Sequence, residues 1–226
     1  LQVEAGEPLA ELYREAEKWD KALKIFEKFA ASAEAMDPEK AAELFLRYGE
    51  ASRHKDDLDG AKKALVKAKE FMPKDPRVIR SNAEVSFLRH EHEEASGLFD
   101  DYLLRMGDDL DGADRIDILV KLATSYRELS SHAKAIDTLS TALELDSTNR
   151  EALQLRAEIH EKREAYKEAV DDYRGVLNTD LGEAQRFELL LHIGDLLREK
   201  LDDPDKAAKS LQAALEIDPD HRATLL

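Results

Sequence analysis

Histidines and carboxylates are the residues of this chain whose chemistry most invites a functional reading. It has seven His and 50 Asp plus Glu, and no cysteine. The segment His90-Glu91-His92-Glu93-Glu94 places two imidazoles at i, i+2. A helical metal pair uses i, i+4, as in H-E-x-x-H. A solvated turn between two helices is therefore expected at His90 and His92, with a weak surface zinc or nickel site as the alternative. His54, His132 and His221 also fall at helix ends or turns, whereas His160 and His192 fall where packing explains them. Asp109, Asp111 and Gly112 suggest a calcium loop, but the glycine comes one residue early for the D-x-D-x-D-G frame. An acid-rich helix start, favoured by the macrodipole, accounts for them. No G-x-S-x-G, Walker A or G-x-G-x-x-G string occurs. No nucleophile has an evident base. The reading is that the chain is not an enzyme and has no catalytic residue, cofactor or metal.

The elements that would position any site follow from composition. The 226 residues suffice for a substantial apolar core. Charged residues make up 37%, and only 9 Gly and 6 Pro are present. Ala, Leu, Glu, Lys and Asp dominate, a mixture of helix formers and caps. So few turn residues argue against a sandwich or barrel. The net charge of −16 opposes binding to phosphate-rich surfaces, so nucleic acid and anionic membranes are not expected partners. It would steer a basic partner. No apolar run approaches a membrane span, so no membrane insertion is expected. Without cysteine there is no disulfide, but the compartment stays open, with cytoplasm as the default. The chain opens on Leu1 rather than Met, as a segment of a longer protein would.

An internal repeat organises the whole sequence. Leu122, Ala123 and Tyr126 are followed by Ala135, Leu139 and Ala142. Ala169 and Tyr173 recur 34 residues on, and Ala61, Leu65, Ala68 and Pro73 repeat the pattern earlier. From Ala61, another step of 34 reaches Ala95 and Phe99. Leu9, Ala10 and Tyr13 precede Ala22 and Phe26. Ile193, Gly194 and Leu197 precede Ala207, Leu211, Ala214 and Pro219. A longer period of 72 to 74 residues joins alternate members: Ala22 to Ala95, Ala61 to Ala135, Ala95 to Ala169 and Ala135 to Ala207. The pair of repeats is thus the duplicated element. Acidic connections around Asp37-Pro38-Glu39, Asp108 to Gly112 and Asp180 to Glu183 separate the pairs.

This pattern resembles the tetratricopeptide repeat (TPR), W-x2-L-G-x2-Y…A-x3-F…P over about 34 residues. Six repeats fall near 3–36, 42–75, 76–109, 116–149, 150–183 and 187–221. A further helix is expected to begin at 222–226. The family's first-helix Trp is absent throughout. Its Leu position holds Asn82 in repeat three and Arg156 in repeat five. The resemblance implies an all-α fold, a right-handed α-solenoid of about six helix-turn-helix repeats forming a single domain over 1–226. It is similar to the long TPR arrays of large bacterial proteins.

By the same resemblance, the first helices line a concave groove that binds a protein or peptide. The expected groove residues are Glu43, Leu46, Glu50 and Arg53 in repeat two and Arg77, Arg80, Glu84 and Phe87 in repeat three. Repeat four contributes Asp117, Val120, Thr124 and Arg127. Repeat five contributes Glu151, Gln154, Glu158 and Glu161, and repeat six Glu188, Leu191, Asp195 and Arg198. Repeat three reads as basic and repeat five as acidic, so a bipolar ligand is expected. The Lys/Asn/Arg carboxylate clamp of some co-chaperone TPR domains is not matched. The implied function is a protein-interaction scaffold. The alternative is an accessory or substrate-holding module of a larger enzyme or of a bacterial secretion or envelope machine. Self-association through uncapped ends is a third expectation, with the oligomeric state open.

Overall fold

A computed structural model describes residues 2–219, apart from the side chains of residues 2–8 and 108. The end of repeat six and the helix expected at 222–226 lie outside the described residues. Among the described residues there are twelve α-helices and no strand. They form six helical hairpins: α1 (Gln2–Glu15) with α2 (Trp19–Ala30), α3 (Pro38–His54) with α4 (Leu58–Phe71), and α5 (Pro76–Leu88) with α6 (His92–Met106). These are followed by α7 (Gly112–Glu128) with α8 (His132–Leu145), α9 (Arg150–Lys162) with α10 (Tyr166–Leu177), and α11 (Glu183–Glu199) with α12 (Pro204–Ile217). No helix among these residues is long and apolar enough to cross a membrane.

The alanine register sets the hairpins. Ala22, Ala61, Ala95, Ala135, Ala169 and Ala207 are all buried near the start of the second helix. The first helix meets them with another small residue, Gly49 in α3 and Gly194 in α11. A Cβ at Gly49 would lie 2.7 Å from Leu65 Cγ, and one at Gly194 2.7 Å from Leu211 Cδ2. Such approaches leave no room for a side chain in a close-packed interface.

Each hairpin turns through one residue in the left-handed region: Glu17, Asp56, His90, Ser130, Glu164 and Asp202, with φ from 51° to 60°. None is glycine, although this conformation costs an L-residue roughly 1–2 kcal/mol. Side-chain caps start several helices. Asp37, Asp75 and Asp203 each accept a backbone N–H in front of a proline-led helix, and Asn149 caps α9. Proline at the first helical position has no N–H to lose and carries a suitable φ.

The sequence frame places repeats two, four and six at 42, 116 and 187, but α3, α7 and α11 begin at 38, 112 and 183. Much of each acidic connection is therefore the first turn of a 17-residue helix, whereas α5 and α9 have 13 residues. This alternation of long and short first helices is the structural form of the paired period. An invariant 34-residue frame hides the extra turn, because the matched positions all lie downstream of it.

The chain comprises two compact units, residues 1–111 and 112–226. In the first, Phe26, Phe29, Leu44, Phe45 and Val78 form the core with Ala10, Ala22, Ala64 and Ala68. Trp19 opens α2 and stacks on His54 with ring centroids 4.1 Å apart, tying the first hairpin to the second. In the second, Val170, Tyr173, Ile193, Leu196 and Leu197 cluster with Ala157, Ala169 and Ala207. Phe187, Leu190 and Ala214 form another cluster in the last hairpin.

Asn82 and Arg156, which replace the repeat's leucine, reach back to the preceding hairpin's second helix. Asn82 Nδ2 donates to the Leu65 and Val78 carbonyls at 3.2 and 2.8 Å. Arg156 donates to Ser140 Oγ at 3.0 Å and to both carboxylate oxygens of Asp172. Both satisfy a buried polar group rather than leaving it orphaned.

Candidate functional site

In the first unit, the first-helix face is a lattice of ion pairs. Arg14 of α1 donates to Glu50 of α3 at 2.9 Å, and Arg47 of α3 reaches both Glu11 of α1 and Glu43 on its own helix. Arg77 of α5 spans to Glu43 at 2.8 Å and also holds Asp75 at 2.7 Å. Arg53 meets Glu84 at 2.7 Å, and Glu84 also accepts from Arg80. A cavity of about 250 Å³ lies among these side chains, with Leu46, Gly49, Leu65 and Val85 beneath them. The hydrogen bond from Arg77 holds the Asp75 carboxyl below its ordinary range, while Asp75 pushes the Arg77 guanidinium up. Five arginines are thus met by carboxylates, and the face has little charge left to offer a ligand.

The second unit presents a larger and less polar trough of about 640 Å³ between α9 and α11. Arg150, Gln154 and Glu158 line one wall at i, i+4, i+8 of α9. Gln185, Glu188, Leu189 and His192 line the other on one face of α11. Tyr173 and Val176 of α10 and Leu181 of the connection to α11 complete the apolar lining. Burial of Phe187, Leu190 and Ile193 fixes the rotation of α11 that turns this face toward the trough. At one end, Arg150 donates to the Asp180 carbonyl at 3.2 Å. At the other, Glu158 accepts from Arg127 and Gln154. Behind it, Glu161 accepts from the Tyr173 hydroxyl at 3.1 Å and lies 2.9 Å from His192 Nε2. Burial, reinforced by the Glu161 charge, pushes the Tyr173 phenol up, so it stays a hydrogen-bond donor. Glu188 is exposed and has no ion pair among the described residues.

The expected groove residues therefore divide. Glu43, Leu46, Glu50, Arg53, Arg77 and Glu84 come together around the first-unit cavity, and Arg80 pairs with Glu84 beside it. Phe87 is turned inward, edge-on to Phe99 and His92, instead of standing free as an anchor. Gln154, Glu158 and Glu188 line the second-unit trough. Asp117 is tied to Lys121 at 2.6 Å, and the Thr124 hydroxyl donates to its own helix at the Val120 carbonyl. Val120 itself is buried. Arg127 spans to Glu158. Glu151 is exposed and Asp195 pairs with Arg198.

Arg77 and Arg80, which carry the basic character expected of repeat three, pair with Glu43, Asp75 and Glu84. Sequence reading missed Glu11, Arg14 and Arg47. It also missed Tyr173, Val176, Leu181, Gln185, Leu189 and His192. The ion-pair partners were signalled by opposite charges one repeat apart, such as Glu43 and Arg77. The trough face of α11 was displaced because its lining runs through 185, 188, 189 and 192. Elsewhere, among the described residues, no group of three or more His, Cys, Asp or Glu is placed to hold a metal ion.

A family model described as Tetratricopeptide repeat matches residues 8–76 and 120–184, and a second with the same description matches 187–221. The chain belongs to the tetratricopeptide repeat family. Solved TPR structures share its fold. YrrB, described as a TPR protein with an unusual peptide-binding site, is 21% identical with a TM-score of 0.63, over 84% of this chain and 97% of YrrB. A MamA structure is 18% identical with a TM-score of 0.66, covering 82% and 96% of the two chains. MamA of Desulfovibrio magneticus RS-1 is 13% identical with a TM-score of 0.62, covering 80% and 97%. No curated protein matches. The all-α TPR fold agrees with the hairpins, the alanine register and the small residues facing it.

Proposed function

We propose that this TPR chain is a protein-interaction scaffold that holds a peptide segment of a partner along its first helices, without a catalytic step. The α9–α11 trough is the binding site in this reading. The supporting observation is the contrast between the two first-helix faces. One is closed by mutual ion pairs around about 250 Å³, and the other opens to about 640 Å³ with an apolar lining. Apolar surface fringed by a few polar groups suits capture of a short segment. Membership in the TPR family supports a binding role, and the peptide-binding description of YrrB is in keeping with it.

Selection of random peptides on the immobilised chain, followed by titration of the enriched sequences, tests the reading. Enriched peptides should bind saturably and should be weakened by Gln185→Trp, which fills the trough mouth. The absence of any saturable peptide, or binding that is indifferent to Gln185→Trp and lost by changes on second helices, would contradict it.

A further inference from the structure

The chemistry of the trough narrows its occupant, on the premise that the trough is the binding site. Its lining carries Tyr173, Val176, Leu181 and Leu189, so one aliphatic or aromatic side chain of the ligand gains burial there. Its charge is one-sided. Arg150 lies at the Asp180 end, with its guanidinium on a backbone carbonyl. Toward the opposite end stand Glu158 and Glu188, with Glu161 behind them. Glu188 has no ion-pair partner among the described residues, and Glu161 directs the same oxygen at both Tyr173 and His192. Glu158 meets Arg127 of α7 at 3.1 Å, so Glu188 is the trough carboxylate left open, whereas the carboxylates of the first-unit face hold arginines of neighbouring helices.

We propose that the α9–α11 trough selects a cationic segment of a partner protein, with an aliphatic or aromatic side chain over Val176 and Leu189 and a Lys or Arg near Glu188 and Glu158. The net charge of −16 speeds the encounter, while the trough carboxylates fix where the basic side chain comes to rest.

The test uses three sets of fluorescein-labelled dodecapeptides built on one Leu spacing, with Lys, Glu or Gln at the remaining positions. Binding is read by anisotropy on the full chain. The Leu/Lys set should bind about tenfold more tightly than the Leu/Gln set, with the Leu/Glu set weakest. Glu188→Lys should remove most of that preference. Glu144→Lys on α8 makes the same change in net charge away from the trough and should leave the preference in place. Equal loss from both substitutions would reduce the effect to whole-protein charge and overturn the proposal. A preference for the Leu/Glu set would overturn it as well but leave the scaffold reading standing. Failure of every peptide set to bind the folded chain would overturn both.

Discussion

Arg156 clasps Asp172 with two parallel hydrogen bonds of 2.9 and 2.6 Å, at a position where the TPR pattern has leucine. Asp172 is almost fully buried in α10, and the same arginine continues to Ser140 of α8. A substituted core position thereby joins three helices of two successive hairpins.

Removing one partner should be much worse than removing both. Arg156→Leu leaves a buried carboxylate unpaired and should destabilise by about 3 kcal/mol. The double variant Arg156→Leu/Asp172→Leu should recover most of that loss. Urea-unfolding midpoints for the single and double variants check this. A double variant no better than Arg156→Leu alone would mean that the pair does not act as a unit.

The left-handed turn residues offer the opposite test. Ser130 is exposed with φ 57°, so Ser130→Gly should stabilise by about 0.5 kcal/mol, the strain relieved less the added chain entropy of glycine. Ser147→Gly, in an exposed turn without positive φ, should give no gain. Thermal melts of both variants decide it, and equal shifts would contradict the turn geometry.

The packing register is tested by Ala135→Leu. Ala135 is completely buried, so overpacking should cost about 1–3 kcal/mol. Lys134 next to it is exposed, with its ammonium 5.1 Å from the Tyr126 ring centroid, and Lys134→Leu should have a much smaller effect. Comparable losses would mean that the alanines do not set the hairpins.

This register is the part of the fold most legible in the sequence. Alanines tolerate one close helix contact each, and the demand recurs once per hairpin. The turns were less legible because Glu17, Asp56, His90, Ser130, Glu164 and Asp202 lack the glycine that usually advertises positive φ. The first turns of α3, α7 and α11 were concealed among acidic residues that resemble a connection. The candidate site was legible only in part. Position on a helix face can be read from spacing, but whether Arg77 is free or already holds Glu43 depends on the packing of the next hairpin.

Stability should also depend on pH through His160. Burial lowers its pKa from 6.5, an effect that the nearby Asp172 opposes and Arg156 reinforces. Below about pH 6.5 the unfolded chain binds a proton that the folded chain still refuses, so stability falls as pH falls toward the depressed folded value. Asp75 and Glu91, held low by hydrogen bonds from Arg77 and Arg89, act in a separate window below about pH 4. Melting temperatures measured from pH 8 to 5 should decline for the parent protein and decline less for His160→Gln. Parallel curves would contradict this assignment.

The central claim, that ligand binding belongs to the α9–α11 trough, is tested most directly by backbone amide shifts on titrating the full chain with a peptide selected for binding. The largest changes should fall on residues 150–161, 173–192 and the connection containing Leu181, with α3 and α5 little affected. Changes concentrated around Glu43, Arg53 and Arg77, or on α8 and α12 alone, would contradict it.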